Sequence, residues 1–110
     1  MELLTQAIRK TLPALYAQDG KGGNAMVYVK YFAPDFSWTW YVLEGQPVLD
    51  ESGIEIDFEF FGLVDGFEKE LGYFRLNELQ SLRGKLGLPV ERDLYFLPKP
   101  LKEIAPGLLD

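Results

Sequence analysis

From Ile54 to Gly62 the chain reads IEIDFEFFG, with Ile54, Ile56, Phe58 and Phe60 in one alternate row and Glu55, Asp57 and Glu59 in the other. Successive side chains of a strand point to opposite faces, so this stretch predicts a strand that ends near Leu63, with the apolar row hidden. An unpaired carboxylate costs several kcal/mol to bury, which sends the acidic row into water. Two further strand patterns precede it. Ala25–Phe32 (AMVYVKYF) is β-branched and aromatic, and after the turn at APD comes Phe36–Glu44 (FSWTWYVLE), giving a hairpin. Gln46–Gly53 contains proline, acids and glycine and reads as a loop leading into the third strand. Beyond DGFEKE, Leu71–Leu76 makes a fourth, so short connections predict an antiparallel meander.

Helical spacing appears twice. Thr5 can cap a helix over residues 5–12, in which Ile8, Leu12 and Leu15 recur and Pro13 ends or bends the run. Asn77 can cap a second, with Gln80 at the third helical position, Leu79 and Leu82 facing inward and Gly84 just past the end. Between the first helix and first strand, Asp19–Asn24 (DGKGGN) reads as a mobile turn. The tail from Gly87 holds four prolines and predicts extended segments, with Asp93–Leu97 as an edge strand. Together these elements give an α+β domain spanning residues 1–110, with a sheet of four to five strands, two short helices and an extended Pro-rich C-terminal segment.

Composition changes this picture mainly by exclusion. The chain has 110 residues, no cysteine and no histidine, which removes disulfides, thiolate nucleophiles, the usual zinc ligands and an imidazole base. Seventeen acids against eleven bases oppose direct nucleic-acid binding, which draws its affinity from basic side chains at phosphates. No basic, apolar leader pattern opens the chain and no apolar run reaches membrane-spanning length, so a cytoplasmic location without membrane insertion is expected. The charge is unevenly spread: residues 44–70 hold nine acids and one base, Lys69, whereas Arg83–Lys102 holds five bases and two acids.

That asymmetry points to candidate chemistry. Glu55, Asp57, Glu59 and Asp65 form an acidic array that can steer a basic partner or serve only as a solvated face. No metal or cofactor is expected, because the acids lack the ordered loop of a calcium-binding hand, and no catalytic residue is assigned. A second arrangement is a cleft in which Glu68, Glu70, Tyr73, Arg75 and Arg92 hold a ligand, as a small enzyme or ligand-binding domain would. Phe36, Trp38 and Trp40 share one side of their strand and are expected in the core, since no basic residue lies among them to support stacking on single-stranded nucleic acid. A monomer or a homodimer paired through a strand edge fits the pattern equally.

The segments LLTQAIRKTLPALYAQ, WTWYVLEG, FFGLVDGFEKELGYFRLNEL and GLPVERDLYFLPKPL resemble the bacterial family called domain of unknown function 2958, over nearly the whole chain. QPVLDESGIEIDFEF is the stretch least like it. The resemblance implies a small protein often encoded on plasmids and other mobile elements, near anti-restriction and DNA-transfer genes, and it carries over no catalytic residue. The expectation is therefore a non-enzymatic interaction protein of a mobile element whose acidic surface meets a basic partner. A nucleic-acid-processing protein, inhibited as restriction or CRISPR enzymes are by acidic mimics of DNA, is the partner class that this implies.

Overall fold

Thr5 opens the first helix, α1 (Gln6–Thr11), where its hydroxyl accepts the Ile8 N–H at 3.2 Å. Leu12, ahead of Pro13, is already extended, as a residue before proline must be. A computed structural model describes residues 1–109. Residues Gly22–Asn24 then form one 3-10 turn, followed by β1 (Met26–Val27), β2 (Val29–Phe32), β3 (Thr39–Leu49), β4 (Glu55–Asp65) and β5 (Lys69–Arg75). The remaining elements are α2 (Leu76–Ser81), β6 (Glu91–Arg92), β7 (Lys99–Pro100) and α3 (Leu101–Ile104). No helix among the described residues is long and apolar enough to cross a membrane.

The expected α+β architecture is present. One antiparallel sheet has the order β5-β4-β3-β2-β6, a meander from β2 to β5 with β6 added at the far edge, and β1 pairs separately with β7. Each face has its own core. On one face Tyr31, Trp40, Val42, Phe58, Phe60 and Phe74 pack beneath the N-terminal segment and α2, and on the other Val27, Leu43 and Leu63 pack beneath α3. Phe58 and Phe60 are 3% and 0% exposed, so the rings that define the β4 pattern are hidden, each contributing about 2–3 kcal/mol of apolar burial. Trp40 is buried and Phe36 and Trp38 pack against the same cluster.

Two irregularities in the β3–β4 ladder decide which side chains share a face. Val42 pairs with Gly62 but Glu44 with Phe61, which leaves Leu43 as an extra residue on β3. Val48 pairs with Asp57 but Leu49 with Glu55, which leaves Ile56 extra on β4. A bulge shifts the alternation by one, so the residues beyond it change sides.

Several local expectations are corrected. Gln46–Leu49 belong to β3 rather than to a loop, and the turn is confined to 50–54, where Asp50 Oδ1 accepts the Ser52 and Ile54 N–H groups. This end of the hairpin runs beyond the residues that pair with β2 and β5, so Pro47 removes no ladder bond from a third strand. For the same reason Ile54 and Ile56, expected to be hidden with the phenylalanines, are exposed. The Asp19–Asn24 stretch forms its 3-10 turn against α3, where Lys102 Nζ donates to Asn24 Oδ1 at 2.9 Å.

The second helix starts earlier than its Asn77 cap predicts. Glu78 accepts the Arg75 N–H at 3.2 Å, and Asp57 from β4 accepts the Asn77 N–H at 3.0 Å, so a neighbouring strand satisfies the helix start. It also ends before Gly84, whose place is set by something else: a Cβ there would lie 2.3 Å from Asp35 Oδ1. In the tail the edge strand is Glu91–Arg92 rather than 93–97. Asp93 donates its N–H to Lys30 O and then accepts the Tyr95 N–H through Oδ1, which turns the chain away from the sheet. The third helix, α3, takes the place of part of the extended tail that the prolines predict.

Tyr31 illustrates how the N-terminal segment is fastened to the sheet. Its ring is fully buried and its hydroxyl donates to Leu3 O at 2.7 Å. Burial pushes the phenol well above its ordinary range, against a smaller opposing effect from the Arg92 cation. An unfolded tyrosine ionises near pH ~10 while the folded one keeps its proton, so stability is fully present below that pH and falls as pH rises above it. Tyr31→Phe is expected to lose about 1 kcal/mol at neutral pH and to show a shallower alkaline decline. Urea unfolding across pH 8–11 checks this; an alkaline slope equal to that of the wild type would refute it.

Candidate functional site

The acidic row does not form one surface. Because Ile56 is the extra residue of the β4 bulge, Glu55 turns to the face that carries Phe58, while Asp57 and Glu59 stay on the other. Glu55 there meets α1: Arg9 donates to it in a two-pronged contact at 2.9 and 2.5 Å, with the guanidinium 5.1 Å from the centre of the Phe58 ring. The hydrogen bond from Arg9 lowers the Glu55 pKa and raises that of Arg9. On the opposite face Glu59 accepts from Arg75 Nε at 2.8 Å, which raises the Arg75 pKa. Asp57 is the acceptor at the start of α2. All three carboxylates of the expected contact row are thus engaged within the protein, and the expectation of a shared free face is corrected by one inserted residue.

The β4–β5 turn is different. Asp65 pairs with Lys69 in register, which leaves residues 66–68 as a three-residue loop. Gly66 lets the Trp38 indole lie against this loop, since a Cβ there would come within 2.6 Å of the ring. Phe67, at the tip, meets Trp38 edge-on with ring centres 5.5 Å apart and planes at 84°, yet it is 95% exposed. Trp38, Val64, Phe67, Glu68 and Glu70 surround a cleft of about 250 Å³. Among the described residues the ion pairs are Arg9–Glu55, Lys30–Asp93 and Arg75–Glu59, so Asp65, Glu68 and Glu70 are in none. Asp65, on the opposite face from Glu70, adds to the burial that raises the Tyr41 pKa.

The expected Glu/Arg/Tyr cleft is not assembled. Tyr73 and Arg75 lie on β5 at one edge of the sheet and Arg92 on β6 at the other, four strand spacings or about 19 Å away. Arg92 instead donates to the carbonyls of Glu2 and Leu3 and pins the N-terminal segment. Glu70 lies on the Val64 face, while Tyr73 and Arg75 share the Phe61 face. The neighbouring Tyr16 phenol is the main cause of the raised Tyr73 pKa, ahead of burial and nearby acids.

Glu44 is the residue whose place the sequence concealed. The β3 bulge turns it to the side of Phe61, where it is 3% exposed and accepts the N–H of Tyr16 at 2.8 Å and of Gln18 at 2.7 Å. Gln18 is equally committed: its amide donates to the Met26 and Leu43 carbonyls and accepts the Met26 N–H. Tyr16, held at φ +73°, is the non-glycine residue with positive φ among the described residues. This buried clamp therefore fastens a strained turn to the sheet. A cavity of about 390 Å³ lies beside it, between Ala25, Phe61 and Leu71. No three carboxylates come close enough to share a metal ion among the described residues.

A family model described as Protein of unknown function (DUF2958) matches residues 3–105, and the chain belongs to that family. No curated protein and no solved structure matches it.

Proposed function

We propose that this member of the DUF2958 family is a non-enzymatic interaction protein that binds a basic partner through the acids at the β4–β5 turn. The observation that carries the reading is the contrast within the segment of net charge minus eight. Its strand acids Glu55 and Glu59 are neutralised by Arg9 and Arg75, whereas Asp65, Glu68 and Glu70 stand outside every ion pair among the described residues, with Glu68 and Glu70 beside an exposed aromatic ring. Charges left free on a surface attract a partner of opposite sign and speed its encounter. A nucleic-acid-processing or host-defence protein, whose DNA-binding surface is basic, is the class of partner with the matching charge, and occupying that surface would make this chain its inhibitor.

Capture on the immobilised protein from a lysate of its bacterial host, at low and at high salt, tests the reading. A basic protein is expected to be retained at low salt, released at high salt, and no longer retained by the Asp65→Asn/Glu68→Gln/Glu70→Gln variant. The companion variant Glu55→Gln/Asp57→Asn/Glu59→Gln is expected to lose stability and keep the partner. Retention unchanged by neutralising the turn would end the proposal.

A further inference from the structure

The aromatic side of the β4–β5 turn has a more specific chemistry than charge alone. Phe67 sits at the tip of a three-residue hairpin loop with its ring almost wholly in water, in contact with Trp38. Nothing in the fold needs a phenylalanine there: the turn is closed by the Gly66 N–H to Glu68 O bond at 3.1 Å, and Trp38 is seated by the missing Cβ of Gly66. The two rings form walls of a cleft of about 250 Å³ whose rim carries Glu68 and Glu70. Rings present a negative face to a cation, and carboxylates beside them add hydrogen-bond acceptors for a planar, forked donor.

We propose that the cleft between Trp38 and Phe67 receives one arginine side chain from a basic segment of a partner protein, with its guanidinium against the rings and its N–H groups on Glu68 and Glu70. The inference rests on the reading of this turn as the partner-binding surface and names the group it recognises. Arginine fits better than lysine because its guanidinium is planar, weakly hydrated and able to bond two carboxylate oxygens while stacking on a ring. Charge complementarity selects a cation, and the aromatic walls select one that stacks.

The test is a titration of the isotope-labelled protein with the capped tripeptide Gly-Arg-Gly and with its lysine and norleucine counterparts, followed by NMR of the Trp38 indole and the amides of residues 66–70. The arginine peptide is expected to shift these signals and to saturate, the lysine peptide to bind more weakly, and the norleucine peptide to do nothing. Phe67→Ala, at a fully exposed position, is expected to fold normally and to weaken arginine binding about fivefold or more. Glu68→Gln/Glu70→Gln is expected to weaken it as well. Equal response to norleucine, an unchanged affinity in Phe67→Ala, or no shift at the turn would overturn the inference. The failure is separable from that of the broader reading. A Phe67→Ala protein that still captures the basic partner in a salt-sensitive way removes the arginine cleft alone, whereas capture indifferent to Asp65, Glu68 and Glu70 removes the surface itself.

Discussion

Gly62→Ala is expected to destabilise the protein by about 3 kcal/mol and to lower its melting midpoint by roughly 15 °C. Gly62 lies in the middle of β4, paired with Val42 on one side and Gly72 on the other, just where β3 gains its extra residue. A Cβ built there would lie 1.9 Å from the Tyr41 carbonyl oxygen and 2.9 Å from its carbon, and backbone atoms cannot swing aside as a side chain would. Accommodating the methyl group means parting the two longest strands of the sheet. Gly72→Ala is the matched control. It sits directly opposite Gly62, and a Cβ there meets nothing within 4 Å, so the substitution is expected to change stability by no more than about 0.5 kcal/mol. Thermal and urea unfolding of the two variants check the pair, and similar losses in both would show that strand propensity rather than close backbone approach governs Gly62.

Glu44→Ala is expected to cost about 3 kcal/mol, because it leaves the part-buried N–H of Tyr16 and the buried N–H of Gln18 without an acceptor while removing the charge that they solvate. Glu44→Gln separates the two contributions. Both carboxylate oxygens accept a backbone N–H, so an amide would present a donor to one donor and is expected to recover only part of the loss. The turn that Glu44 holds contains Tyr16 at φ +73°, so the damage should appear there first. Hydrogen exchange is expected to accelerate at residues 16–26 before it does in β4. Exchange that speeds up uniformly across the sheet would contradict a local fastening role. The Gln18 side chain, which bridges Met26 and Leu43, predicts the same pattern from the other end of the clamp.

These two substitutions alter the scaffold, whereas Asp65, Glu68, Glu70 and Phe67 lie at the β4–β5 turn that the scaffold carries. The distinction separates outcomes in the binding experiments. Loss of partner capture through Gly62 or Glu44 should accompany a fall in stability, and loss through the turn residues should not, since Glu68, Glu70 and Phe67 are exposed and Asp65 forms no ion pair.

The short-range pattern of the chain was enough to mark strands within 25–32, 36–44, 54–63 and 71–76, of which 29–32, 39–44, 55–63 and 71–75 pair in the sheet, and to mark the capped helix after Thr5 and the burial of Phe58, Phe60 and Trp40. Each depends on residues a few positions apart: a period of two, a hydroxyl before a helical run, a proline that stops one. The uneven distribution of charge was equally legible, because it is a count. Which acids are free was not. Arg9 is 46 residues from Glu55 and Arg75 is 16 from Glu59, and no local pattern encodes such a meeting. Nor does alternation register that Leu43 and Ile56 each have no opposite partner, since a bulge exists only in relation to the strand across the ladder. Those two residues move Glu44 into the interior and Glu55 away from Asp57. By itself the sequence determined that this is an acidic α+β protein with a hidden row of aromatic rings. Only the tertiary structure decided which carboxylates hold the fold together and which stand outside the ion pairs, because a side chain's face follows from local geometry but its neighbours follow from the register of distant segments.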